Sequence, residues 1–149
     1  MAKVLGLVLL GAALCMAADS TVDVYSPQDL GNISKKLGQK SFGSQILKKY
    51  GNDYTMLAYR GETGSSELHE KEADFFYVID GSASLVTGGK IVNGKTEKPG
   101  ELRGTSIEGG EKHQLTKGSI VHIPAGTPHQ LLIDKSKPFT YFVVKVIEQ

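Results

Sequence analysis

Apolar positions change period along this chain. Near the start, Leu30, Ile33 and Leu37 recur at the three-to-four-residue spacing of a helix face. Ser26-Pro27-Gln28-Asp29 precedes them, with a hydroxyl at the N-cap, proline at the first helical position and an acid in the first turn; Gly38 follows. One short amphipathic helix is predicted there, lying against the rest of the molecule. From residue 44 onward the runs are short: 45–50, 54–59, 67–69, 74–79, 82–87, 114–115, 119–123, 130–133 and 139–147, separated by clusters of Gly, Asn, Asp or Pro. Such punctuation predicts an all-β sandwich or barrel rather than a βαβ fold. The stretch 88–110, rich in glycine and charge, interrupts the pattern, and a segment of that length inside a compact domain is usually functional or mobile. Glu101 and Arg103 within it are candidates to meet a ligand, or simply to be solvated.

The last run, Phe139-Thr140-Tyr141-Phe142-Val143-Val144-Lys145-Val146-Ile147, carries large residues at both parities. A strand with one face in water should alternate apolar with polar, so both faces of this one are expected to be covered. The short helix is too small to cover it together with the aromatic run Phe75-Phe76-Tyr77-Val78-Ile79, and a homodimer is the expected partner arrangement.

The beginning of the chain adds a processing signal. Lys3 is followed by an apolar run from Val4 to Leu14 and then by Cys15-Met16-Ala17-Ala18, the pattern of a secretory signal peptide over residues 1–18. The run is shorter than the roughly 20 residues a membrane span needs. The mature protein, 19–149, is expected to be a single domain, secreted or periplasmic, with no membrane attachment after cleavage. Cys15 is the sole cysteine, so that chain has neither disulfide nor thiolate metal site. Lys and Arg number 17 against 16 for Asp and Glu, a balance that lacks the basic excess of a nucleic-acid binder.

Four polar residues stand where chemistry could gather. In Glu67-Leu68-His69 two ligand-type side chains are two positions apart, so on a strand both project from one face. Asp74 opens an otherwise apolar run after four intervening residues, which leave room for a turn. Pro124-Ala125-Gly126-Thr127-Pro128 forbids helix and fixes a stiff turn that delivers His129 to the start of the next strand. His122 has the opposite parity to Val121 and Ile123 and reads as a surface or supporting group, and His113 reads as exposed. Tyr54, Tyr59, Phe76, Tyr77 and Tyr141 could line a pocket, although aromatics in a small barrel are more often core. The chain holds no phosphate loop, dinucleotide fingerprint or Ser-His-Asp signature.

These segments resemble the two motifs of the cupin superfamily. The first motif matches at Gly61, His69 and Gly81, with Glu67 where the family's first His stands and Asp74 where its Glu stands; the second matches at Gly118, Pro124, Gly126 and His129, with Ile133 in place of Asn. The resemblance covers roughly residues 55–147. It implies a cupin-like double-stranded β-helix, or jelly-roll barrel, preceded by one helix. It also implies a divalent ion held by Glu67, His69, Asp74 and His129, with Glu67 serving as fourth ligand or as a catalytic general base. Imidazole and carboxylate donors suit Mn, Fe, Ni, Zn or Cu. The resemblance does not fix the reaction, since cupins include enzymes and storage or sugar-binding members. Two functions therefore stand: an exported metal-dependent barrel acting on a small organic substrate, and a non-catalytic barrel binding a small molecule or sugar.

Overall fold

The computed structural model describes residues 22–148. One helix, α1 (Pro27–Leu37), precedes thirteen strands: β1 (Phe42–Lys49), β2 (Asp53–Arg60), β3 (Ser66–His69), β4 (Glu72–Asp80), β5 (Ser82–Thr87), β6 (Lys90–Val92), β7 (Lys95–Lys98), β8 (Glu101–Gly104), β9 (Ser106–Glu108), β10 (Glu111–Thr116), β11 (Ile120–Ile123), β12 (His129–Leu132) and β13 (Phe139–Ile147). The cleavage signal expected over 1–18 lies outside the described residues.

The helix begins as its sequence predicts. The Ser26 hydroxyl accepts from the Asp29 N–H, the Asp29 carboxylate accepts from the Ser26 N–H, and Pro27 occupies a position that has no N–H to satisfy. It packs on the outer side of β1 and β2, with Gly38 against the Tyr59 ring and the Ser34 hydroxyl 3.0 Å from that of Thr140.

The strands form two facing antiparallel sheets, ordered β1-β2-β13-β4-β11 and β10-β5-β12-β3-β8-β7, with β6 and β9 paired as a small third sheet. This is an all-β jelly roll. Side chains alternate across β13 so that Phe139, Tyr141 and Val143 face the interior, and Ala58, Phe76, Val78, Leu85, Leu115, Ile123, Leu131 and Ile133 close around them. Each fully buried large side chain among these contributes about 1.5–3 kcal/mol. Gly81 carries the chain from the first sheet to the second between β4 and β5; its φ is +82°, and a Cβ there would sit 1.9 Å from the Pro138 carbonyl oxygen, so no other residue fits.

The stretch 88–110 is not a structureless loop. It forms β6, β7, β8 and β9, and β8 pairs with β3 so that Glu67 faces Arg103 and His69 faces Glu101 in register. Burial explains why the pattern hides it: β7 is exposed throughout, and β6 and β9 are three residues long. Gly104 has its reason too, since a Cβ there would lie 2.4 Å from the Val92 carbonyl oxygen.

Candidate metal centre

The strand pairings bring the four singled-out side chains to one place. On β3, Glu67 and His69 point to the same side, as parity requires; β12 sets His129 beside Glu67, and β4 supplies Asp74. Two backbone bonds lock the arrangement: Gly126 N–H donates to the His69 carbonyl at 2.7 Å, and Gly88 N–H donates to the Pro128 carbonyl at 2.8 Å. The Pro-x-Gly turn before His129 is thereby clamped to the strand that carries His69.

Glu67, His69 and His129 present ligand atoms that all lie within 4.8 Å of one another. His69 Nε2 is 3.5 Å from Glu67 Oε2, His129 Nε2 is 3.9 Å from Glu67 Oε1, and Asp74 Oδ2 lies 3.9 Å from His69 Nε2 and 3.5 Å from His129 Nε2. Donors bound about 2.1 Å from one ion stand roughly 3–3.5 Å apart, so these separations need little adjustment. The two Nε2 atoms are buried and have no hydrogen-bond partner. Buried polar atoms are normally satisfied, which makes this pair the strongest local sign of a ligand.

Tautomer chemistry points the same way. His129 Nδ1 lies 2.9 Å from the Thr127 carbonyl, a contact that requires the proton on Nδ1 and leaves the Nε2 lone pair facing its neighbours. Burial pushes His129 below the ordinary histidine value of 6.5, against the opposing pull of the Glu67 carboxylate, and keeps the ring neutral. Behind His69, Glu101 Oε2 lies 3.8 Å from Nδ1, and Glu101 is itself gripped by Lys98 at 2.9 Å and by Arg103.

The carboxylates are not free-standing. Arg103 Nη1 is 2.9 Å from Glu67 Oε2, and Lys145 Nζ is 2.7 Å from Asp74 Oδ1. Burial works to raise the Glu67 carboxyl, but the contact with His69 and the charge of Arg103 more than offset it and hold the group below the ordinary carboxylate range. Each acid thus uses one oxygen on a cation and turns toward the imidazoles as well. The residues present fit a divalent ion.

The centre forms one wall of a cavity of about 390 Å3, lined by Glu67, His69 and Asp74 together with Tyr54, Met56, Arg60, Glu101, Arg103, Tyr141 and Lys145. Met56, Ala58, Phe76, Tyr141 and Val143 give it an apolar floor continuous with the core.

Of the other candidates, His122 is exposed and stacks on Phe75 with ring centroids 4.3 Å apart, in keeping with its parity. His113 is partly covered rather than exposed, with Nε2 3.0 Å from the Thr87 hydroxyl. Tyr54 and Tyr141 line the cavity, whereas Tyr77 stands 49% exposed on the outside. The pattern does not single out Lys145 or Arg60. A lone charge on the inward parity of the apolar strand β13 is the signal that marks Lys145, and the same test picks out Asp74 on β4.

No protein-family model matches the chain, and no curated protein matches it. Solved structures do. An uncharacterized conserved protein with a double-stranded beta-helix domain from Klebsiella pneumoniae superposes with a TM-score of 0.53 at 15% identity, covering 73% of this chain and 79% of that one. A cupin superfamily protein from Desulfitobacterium hafniense gives 0.50 at 14% identity, over 72% and 78%. The chain has the cupin fold. Another structural neighbour is the DMSP lyase DddQ from Ruegeria pomeroyi, with a TM-score of 0.50 and 17% identity, covering 72% of this chain and 48% of that one. Identities this low carry the cupin architecture alone.

Proposed function

We propose that this protein is an exported cupin that binds one divalent ion through His69, His129, Asp74 and Glu67 and acts on a small organic substrate in the barrel cavity. The observation that carries the reading is the pair of buried, unpartnered Nε2 atoms facing two carboxylates across 3.5–3.9 Å. An ion bound there supplies Lewis acidity toward a substrate oxygen. The chain's own residues do the rest: the apolar floor limits water, Thr127 fixes the His129 tautomer, and Arg103 and Lys145 orient the two acids. The depressed Glu67 carboxyl is a poor proton acceptor near neutral pH, which favours its role as ligand over that of general base. The lyase among the structural neighbours is consistent with an enzyme of this architecture.

One observation favours a second reading, the non-catalytic binding barrel. Glu67 and Asp74 already have cationic partners in Arg103 and Lys145, as a metal-free ligand site would require. Elemental analysis of protein purified without added metal separates the two. Near one equivalent of Mn, Fe, Ni, Zn or Cu is expected, with its loss in the His69→Ala, His129→Ala double variant. Metal-free wild-type protein that stays metal-free after incubation with these ions would leave the binding barrel as the function, and full metal content in the double variant would place the ion elsewhere.

A further inference from the structure

Four cationic side chains line the cavity, and three have carboxylate partners. Lys98 pairs with Glu101, Arg103 with Glu67, Glu97 and Glu101, and Lys145 with Asp74. Arg60 differs. Its Nε donates to the Tyr141 hydroxyl at 3.3 Å, and its guanidinium lies 5.8 Å from the centre of the Phe42 ring. Among the described residues neither Nη group makes a hydrogen bond or a direct ion pair, and the acid that acts on it, Glu67, does so only through space. Two of the guanidinium nitrogens, the Nη pair that grips a carboxylate end-on, are therefore left for a ligand in the cavity that Arg60 lines.

We infer that Arg60 anchors a carboxylate of the ligand, so that this cavity selects a small monoanionic organic acid over its neutral counterparts. The Tyr141 hydroxyl and the Phe42 ring hold the guanidinium plane, which reduces the freedom lost when an acid binds. Charge supports a single negative group. The lining holds five carboxylates, from Glu67, Glu72, Asp74, Glu97 and Glu101, against four cations, leaving one negative charge in excess. A divalent ion would turn that excess into one positive charge, and a monoanion would then bring the cavity to neutrality. A dianionic phosphate would overshoot and would find only one open cation. The inference deepens the reading of this cavity as a ligand site, and metal content tests that reading separately.

The experiment uses metal-loaded full-length mature protein and three acids, each with a neutral counterpart: lactate with lactamide, D-gluconate with D-glucitol, and benzoate with benzyl alcohol. Thermal shift and calorimetry are read on wild type, Arg60→Gln and Arg60→Lys, with metal content measured on each. At least one acid is expected to stabilise the wild type while its neutral counterpart does not. Arg60→Gln should then bind that acid roughly tenfold or more weakly at unchanged metal content, and Arg60→Lys should fall between, because it keeps the charge and loses the two-pronged geometry. Equal binding of acid and neutral members, undiminished affinity in Arg60→Gln, or failure of every acid to bind the wild type would each overturn the assignment.

Discussion

Replacing Lys145 with methionine tests the electrostatics of the centre. Lys145 is 8% exposed and its ammonium sits 2.7 Å from Asp74 Oδ1, while Asp74 is 2% exposed. Methionine keeps most of the unbranched side chain and removes the ammonium group, which strands a buried carboxylate in metal-free protein. Breaking one side of such a pair costs about 3–5 kcal/mol. A loss of that order corresponds to roughly 10 °C or more in Tm for a chain of this size. Urea unfolding after chelator treatment measures it directly. Two further arms make the cause specific. In the Asp74→Asn background the same substitution should cost about 1 kcal/mol or less, since no charge is stranded. Added divalent metal should recover more stability in Lys145→Met than in wild type, because the ion takes over the carboxylate that the lysine held. A cost below about 1 kcal/mol in metal-free Lys145→Met, or an equal cost with and without the Asp74 carboxylate, would refute the pairing.

Metal-free protein should lose stability steadily as pH falls below 7. His129 has a folded value below 6.5, so its contribution is in place above pH 6.5 and is lost as pH falls through the folded value; Glu67, also depressed, adds a second loss that starts near pH 4.5 and extends below the carboxylate range. The His129→Asn variant should flatten the decline between pH 7 and 5, and an unchanged slope would count against the buried neutral ring. Mature native protein should begin near Ala18 or Asp19, which N-terminal sequencing of exported material checks; an intact Met1 on cytoplasmic protein would contradict export. The outer face carrying Phe75, Tyr77 and Ile120, which are 39%, 49% and 76% exposed, is the proposed homodimer surface. Light scattering at micromolar concentration should give a dimer, and Phe75→Glu with Tyr77→Glu should give a monomer; a monomeric wild type would sink the proposal.

What could be read from the chain, and what could not, follows from where the information sits. Glu67 and His69 are two apart on one strand, so a shared face follows from parity alone, and the structure places both on the cavity. The stiff turn before His129 is legible because proline and glycine act locally, through φ. The helix is legible for the same reason: its start is written in four consecutive residues. None of this extends to β8. Its position opposite β3 depends on pairing across more than thirty residues of chain, and its neighbours lack the apolar alternation that would announce a sheet. Glu101 and Arg103 were visible as charges, but their contact with His69 and Glu67 is a fact of register.

The roles of the cations show why the rest required coordinates. Sequence supplies an inventory of charges, and an inventory cannot tell a lysine that neutralises a buried acid from an arginine that waits for a ligand. Lys145 and Arg60 lie on adjacent strands and line one cavity, yet they do opposite things. Lys145 faces Asp74 on β4 in direct register, so its charge is consumed within the protein. Arg60 stands at the end of β2 opposite Phe139 and Phe42, both apolar, so its charge has no acid in register to meet. The difference is set by which residue each strand neighbour contributes, two positions at a time. An Asp at position 42 or 139 would pair with Arg60 and close the anion site without touching the imidazoles. Phe42→Asp is accordingly expected to abolish acid binding while leaving metal content intact. Acid binding that survives this substitution at wild-type strength would show that the open guanidinium is not what holds the ligand.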